Sequence, residues 1–352
     1  MALRLPRPLE RAAACTLTSL PPAILRRIVG PPSLSPDGLE LDLQLQALLW
    51  LIDRFHLPEL TGGPVAQARA ALDRAAPTLD LAPPPGVGAY DHTIPTASGP
   101  RRVRVYAPES APASSAPGLV FFHGGGWVVG SLESYDLLCR ALAERAAVKV
   151  VSVDYRLAPE HPFPAATEDA IATARWVLEN APRLGLDAAR IAVGGDSAGG
   201  NLAALASIGL RDAERRPAFQ LLVYPATDLT RGSPSHAMFA DGYFLGKAAI
   251  DWYLGHYLRD PADAKNPLAS PLLAHDLSRL PPALVITAGF DPLRDEGKAY
   301  ADKMRAAGVD VELACFEGQM HGFLFLGAAL RESVRAVDLA AARLREALAK
   351  RG

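Results

Sequence analysis

At 352 residues the chain is longer than one hydrophobic core usually fills, which predicts a large domain carrying a substantial addition. Hydrophobic residues at 49%, charged residues at 21% and a formal net charge of -2 describe a soluble globular protein, and the lack of any Lys/Arg-rich run argues against nucleic acid as a partner. Cys15, Cys139 and Cys315 have no short spacing and no apolar run reaches the length of a membrane span, which argues against a disulfide framework, a zinc knuckle and stable membrane insertion.

The first residues carry Arg4, Arg7 and Arg11 but no continuous apolar stretch of the signal-peptide kind, so a cytoplasmic location is expected, with contact to a membrane surface as the weaker alternative. Residues 1–85 read as helices: Leu45, Leu48, Leu49 and Ile52 recur at helical spacing, and Ala66 to Ala75 continues the character. This segment is expected to form part of a helical cap. Pro83-Pro84-Pro85-Gly86 breaks the pattern, and Arg102-Val103-Arg104-Val105-Tyr106 alternates as a half-buried antiparallel strand does.

Residues 86–352 are expected to form the catalytic domain. Short apolar runs follow one another at Leu119–Phe122, Val148–Val153, Ile191–Val193, Leu221–Tyr224, Ala283–Thr287 and Val311–Phe316, each fit for a strand buried on both faces. Helical stretches separate them. One is expected to open at Thr167, with Glu168 and Asp169 in its first turn and Ile171, Ala174 and Leu178 facing inward. Repeated β-α-β succession predicts an α/β fold with a mostly parallel sheet and reactive groups at the carboxyl ends of the strands. The interval between Tyr224 and Ala283 is too long for a plain crossover, so an insertion at about 230–268 is expected to join the N-terminal segment over the active site. An exposed last strand, Val311–Phe316, would suit pairing in a homodimer.

The chemistry is concentrated in three places. Gly195-Asp196-Ser197-Ala198-Gly199 follows one strand directly and precedes a helix-compatible run, the context in which a serine sits on a tight strand-to-helix turn with its hydroxyl raised into a cleft. His123-Gly124-Gly125-Gly126-Trp127 ends another strand with a loop rich in backbone N–H groups. Hydrolysing an ester creates an oxyanion, and each donor preorganised around it is worth about 3 to 4 kcal/mol. Gly125, Gly126 and Ala198 are assigned as those donors. His123, Gly124 and Asp196 are assigned supporting places.

A serine hydroxyl needs a neighbour to accept its proton. The chain order of this motif is serine, acid, histidine, which sets aside His56, His92, His123 and His161 and leaves His236, His256, His275 and His321. His321 lies in a loop, Glu317 to Met320, just past a strand; the other three fall in or beside the insertion and read as surface or cap residues. The orienting carboxylate should end the strand between serine and histidine. Asp291 does so, with Asp228 as rival, while Asp295 and Glu296 suit the first turn of the next helix. This constellation calls for neither metal nor cofactor.

With His123 to Trp127, Tyr155 to Pro164, Gly194 to Asn201, Asp291 to Gly297 and His321-Gly322-Phe323, the sequence resembles the hormone-sensitive-lipase family of carboxylesterases, in the branch with a Gly-Asp-Ser-Ala-Gly elbow. The match runs from about residue 90 to the end and weakens over the first forty residues. The resemblance implies the α/β-hydrolase fold, an eight-stranded sheet, a helical cap and hydrolysis of short- to medium-chain acyl esters, and it supports Asp291 over Asp228. It also implies that His123 braces the glycine loop. Tyr155 to Pro164 reads as structural. A binding protein on the same scaffold would lack His321, as the plant gibberellin receptors lack their histidine, and a lyase-type relative would carry threonine at Ser197; lactones, carbamates and amides stay open as substrates. Trp50, Phe55, Tyr243, Phe244 and Trp252 are expected to pack as cap core more than to touch substrate.

Overall fold

The computed structural model describes residues 7–55 and 61–349; Arg4 and His56 lie outside the described residues. Four helices come first: α1 (Arg7–Thr18), α2 (Pro22–Val29), α3 (Leu43–Arg54) and α4 (Val65–Leu79). α3 starts where Asp42 accepts from the Gln44 and Leu45 N–H groups, satisfying donors that a helix N-terminus leaves open. The stripe read from the sequence is its inner face, with Leu45 and Leu48 buried.

The sheet is built from β1 (Val87–Ile94), β2 (Arg101–Pro108), β3 (Ala116–Phe122), β4 (Lys149–Val153), β5 (Leu186–Asp196), β6 (Phe219–Val223), β7 (Ala283–Phe290) and β8 (Val311–Met320), in the order β1-β2-β4-β3-β5-β6-β7-β8. β1 and β2 pair antiparallel, as do β2 and β4; every other pairing is parallel. β8 stands at the sheet's edge, the position that subunit pairing would require. The crossovers carry α5 (Asp136–Ala146), α6 (Ala165–Glu179), α7 (Ala198–Leu210) and α10 (Arg294–Ala306), and α11 (Arg331–Ala347) ends the fold. Between β6 and β7 the insertion adds α8 (Pro234–Met238) and α9 (Lys247–Tyr257).

Side chains alternate across a strand, so each central strand serves two cores. Val120 and Phe122 of β3 join Leu202 and Ala203 of α7 and Ala170 of α6 on one face. Leu119 and Phe121 join Leu138 and Leu142 of α5 and Val337 of α11 on the other. All residues of β4, β6 and β7 are buried, which explains why these strands read as unbroken apolar runs.

Two expectations need correction, and one strand was not read. β1 gave no sequence signal, because only its terminal residues, Val87 and Ile94, are buried. α6 begins at Ala165, directly after Pro164, and Thr167 lies within its first turn, donating its hydroxyl to the Leu268 carbonyl at 3.1 Å. The segment Glu317 to Met320 is not a loop but the end of β8, since β7 runs on to Phe290 and pairs there with Met320. The irregularity in that pairing falls at Gly289, where any Cβ would collide with the Glu317 carbonyl.

The N-terminal segment is fastened to elements that adjoin the chemistry-bearing residues. Arg294, three residues past Asp291, pairs with Asp37 at 2.8 Å, and Asp42 N–H donates to the Gly318 carbonyl at 2.9 Å. Arg69 of α4 forks onto Glu160 at 2.9 and 2.6 Å and also donates to the Val128 and Ala158 carbonyls. The structural reading of Tyr155 to Pro164 therefore gains content: it is the dock for α4.

Just past α4, Asp80 is only 1% exposed. One carboxylate oxygen accepts from Leu81 N–H at 2.7 Å; the other has no partner among the described residues. Burial pushes this carboxyl from 3.8 up to about 7, against weaker pulls from the Leu81 amide and Arg11. Between those values the folded chain holds a proton that the unfolded chain has released, so this group's stabilising contribution is complete below about 4 and lost as pH rises through 7. Asp80→Asn should flatten the fall in melting temperature over that interval and raise the melting temperature above pH 7. Thermal denaturation across pH checks this, and an unchanged profile would contradict it.

Candidate active site

β5 ends at Asp196 and α7 begins at Ala198, leaving Ser197 alone to make the turn at φ 55° and ψ -119°. A side chain in that region of backbone space is strained, at a cost of roughly 1 to 3 kcal/mol, and the surroundings hold it there. Ser197 N–H donates to the Val223 carbonyl at 2.8 Å, while the Ser197 carbonyl accepts from Asn201 and Ala226 at 3.0 and 3.2 Å. The two flanking glycines are sterically required. A Cβ at Gly195 would strike the Gly199 backbone and the Phe122 carbonyl, and one at Gly199 would strike that same carbonyl.

Ser197 Oγ lies 2.9 Å from His321 Nε2, and His321 Nδ1 lies 2.7 Å from Asp291 Oδ2. Asp291 is fully buried, and its other oxygen accepts from Leu293 N–H at 2.8 Å. With Nδ1–H donating to that carboxylate, Nε2 is left as an acceptor facing the serine hydroxyl. The Tyr224 ring supports the imidazole from 4.6 Å between centroids. Asp228, the rival acid, is occupied locally, accepting from Thr230 N–H and Oγ1 at 3.0 and 2.6 Å.

The glycine loop leaves the end of β3 and lies against the serine turn. Gly124 N–H donates both to Asp196 Oδ1 at 2.9 Å and to the Tyr135 hydroxyl at 2.8 Å, and that hydroxyl donates to Asp196 Oδ2 at 3.1 Å. Beyond this anchor, Gly125 and Gly126 take φ values of 108° and 59°. Among the described residues their N–H groups donate to no protein acceptor, whereas the Gly125 carbonyl is held by Val128 and Val129 N–H at 3.1 and 3.0 Å. Burial pushes the Asp196 carboxyl up to about 7, against the Tyr135 hydrogen bond, the His321 charge and the Gly124 amide. His123 is buried, its Nδ1 is 2.8 Å from the Gly124 carbonyl, and its own carbonyl accepts from Tyr155 Oη at 2.7 Å. Burial lowers the pKa of this imidazole, which keeps it neutral as a brace.

His321 is thus within hydrogen-bonding reach of both Ser197 and Asp291, while Gly125 and Gly126 lie on the glycine loop and Ala198 opens α7 directly after Ser197. Glu296 stands in the first turn of α10, as expected, and is buried there, accepting from Thr227 and Asp228 N–H at 2.6 and 3.1 Å. His236 lies in the insertion, as expected, with its Nε2 2.7 Å from Glu296 Oε2. The packing expected of the large aromatic residues fails in part. Trp50, Phe55 and Phe244 are 37%, 48% and 53% exposed, so they are not core, whereas Tyr243 packs between Phe239 and Phe290. Tyr135, which completes the Asp196 anchor, was missed, and no motif marks it. Tyr253, also missed, lies on Gly126; its position four residues before Tyr257 on α9 is the only sequence hint. Among the described residues no cluster of three or more His, Cys, Asp or Glu could hold a metal ion, and no helix is long and apolar enough to cross a membrane.

Comparison with known proteins gives a consistent picture. A family model described as alpha/beta hydrolase fold matches residues 119–325, more than half of the chain. The chain is 45% identical over 297 residues to the carboxylic ester hydrolase LipN of Mycobacterium tuberculosis, covering 82% of this chain and 78% of that protein. It is 43% identical to an ethyl acetate hydrolase of Pseudomonas putida, over 69% of this chain and 75% of the relative. Among solved structures, an ester hydrolase from the metagenome of Lake Arreo, complexed with a derivative of bipyridine phosphonate, superposes with a TM-score of 0.84 at 44% identity, covering 87% of this chain and 98% of that one.

Proposed function

Since this chain belongs to the alpha/beta hydrolase fold family, in its hormone-sensitive-lipase-type branch, and is a carboxylic ester hydrolase, we propose that it cleaves short- to medium-chain acyl esters through Ser197, His321 and Asp291. The observation that carries this reading is the run of contacts from Ser197 Oγ to His321 Nε2 at 2.9 Å and from His321 Nδ1 to Asp291 at 2.7 Å. Ser197 Oγ attacks the acyl carbon while His321 takes its proton; the tetrahedral intermediate collapses as His321 returns that proton to the departing alcohol. Water then attacks the acyl-enzyme with His321 again as base, and as the acyl–Oγ bond breaks His321 returns that proton to Ser197 Oγ and the carboxylic acid leaves. Asp291 holds the imidazole tautomer and stabilises the imidazolium without itself taking the proton.

The N–H groups of Gly125, Gly126 and Ala198 receive the oxyanion in both halves of the reaction, with the Asp196–Gly124 bond holding the loop in place. The N-terminal segment and the insertion at about 230–268 act as a cap over this centre. The ethyl acetate hydrolase relative supports small acyl groups, and the phosphonate complex of the Lake Arreo enzyme supports a tetrahedral phosphorus probe. A p-nitrophenyl alkylphosphonate should inactivate the protein with release of one equivalent of p-nitrophenol. Peptide mass spectrometry should find the phosphonyl group on Ser197; attachment elsewhere, or no inactivation, would overturn the assignment.

A further inference from the structure

We propose that Tyr253 is the wall that limits the acyl chain, while Phe244 borders the leaving alcohol, an assignment that rests on the catalytic reading given above. Both side chains come from the insertion, one against the glycine loop and the other beside His321. The Tyr253 ring lies directly on Gly126, so closely that any Cβ on that glycine would overlap it. The Phe244 ring edge lies 3.2 Å from where a Cβ on Gly322, next to His321, would stand.

The reaction assigns the two sides. Its leaving oxygen must receive a proton from His321 Nε2, so the alcohol portion lies toward His321 and therefore toward Phe244. The carbonyl oxygen points to the Gly125 and Gly126 amides. The acyl chain is left the direction away from the imidazole, past the glycine loop, where Tyr253 stands.

The two residues also differ in how firmly they are held. Tyr253 and Tyr257 are four residues apart on α9 and so share a face. Tyr257 stacks on Trp127 of the glycine loop with ring centroids 4.3 Å apart and an 8° tilt, and its carbonyl accepts from Phe163 N–H at 2.8 Å. That stack and hydrogen bond hold α9 against the glycine loop, so the helix that carries Tyr253 cannot move away without breaking them. Phe244 is 53% exposed, and solvent on its outer side gives it room to yield.

Two substrate series separate the roles: p-nitrophenyl esters from acetate to dodecanoate, and acetates of alcohols from methyl to octyl. Tyr253→Ala should raise the ratio of kcat/KM for dodecanoate over acetate by about tenfold or more, the scale on which pocket size discriminates apolar chains. Its ratio for octyl over methyl acetate should hold. Phe244→Ala should do the reverse, and Tyr253→Phe should keep the parent acyl profile because the ring, not the hydroxyl, forms the wall. Tyr253→Trp should contract the acyl range, which tests the idea even if the alanine variant folds poorly. A uniform loss across acyl lengths in folded Tyr253 variants, or a shift of both series together, would overturn the inference. Should Ser197→Ala retain normal rates in the same assays, the catalytic reading itself would fail; a dead Ser197→Ala beside a flat Tyr253 profile would remove only the wall.

Discussion

Ser197→Ala is expected to lower kcat/KM for p-nitrophenyl acetate by about 10⁴- to 10⁶-fold, the range seen when the nucleophile of a cooperating triad is removed. The reason is local. Ser197 is the one residue between β5 and α7, its hydroxyl is 2.9 Å from His321 Nε2, and among the described residues no second hydroxyl takes part in that contact. Alanine accepts the same φ of 55° at similar cost, so the melting temperature should stay within a few degrees of the parent. Some acceleration over water should persist, because the amides of Gly125, Gly126 and Ala198 are untouched. Activity within tenfold of the parent would refute Ser197 as nucleophile.

Asp291→Asn should cost about 10⁴-fold in kcat at neutral pH while Asp228→Asn costs less than a few-fold. An amide at Asp291 can donate to Nδ1, which favours the tautomer that carries its proton on Nε2. The ring nitrogen facing Ser197 then presents a hydrogen where an acceptor is needed. Asp228 has no such link, since its carboxylate is engaged by Thr230. The pair of variants distinguishes the acids directly: a large loss at Asp228 with activity kept at Asp291 would exchange their roles.

The parts of this molecule most legible in the sequence are those specified by a few adjacent residues. The strand, the strained turn and the start of α7 all lie within Ile191 to Leu210, and the glycines around Ser197 are dictated by backbone collisions that no other residue type avoids. The sheet core was legible because strands buried on both faces are apolar throughout. β1 was not, since an edge strand with exposed polar residues carries no such pattern.

Long-range partnerships were the least legible. His236 and Glu296 are sixty residues apart, and nothing in either neighbourhood shows that α8 would lay the imidazole against a buried carboxylate. Burial raises the Glu296 pKa, while the His236 contact and the Thr227 and Asp228 amides oppose that shift. The sequence favoured a core for Trp50, Phe55 and Phe244 because large apolar side chains usually find one; here the N-terminal segment and the insertion leave them partly in water.

The bond between Gly124 N–H and the Asp196 carboxylate has a consequence for how such an enzyme can change over time. Asp196 is the covalent neighbour of Ser197, and β3 and β5 are hydrogen-bonded side by side up to Phe122 and Gly195. In the proposed mechanism, attacking atom and oxyanion donors therefore ride on one stiff block, and thermal breathing of the sheet displaces them together. The segments proposed as its cap are then free to lengthen, shorten or exchange aromatic rings, retuning which molecules enter while the alignment beneath stays in register.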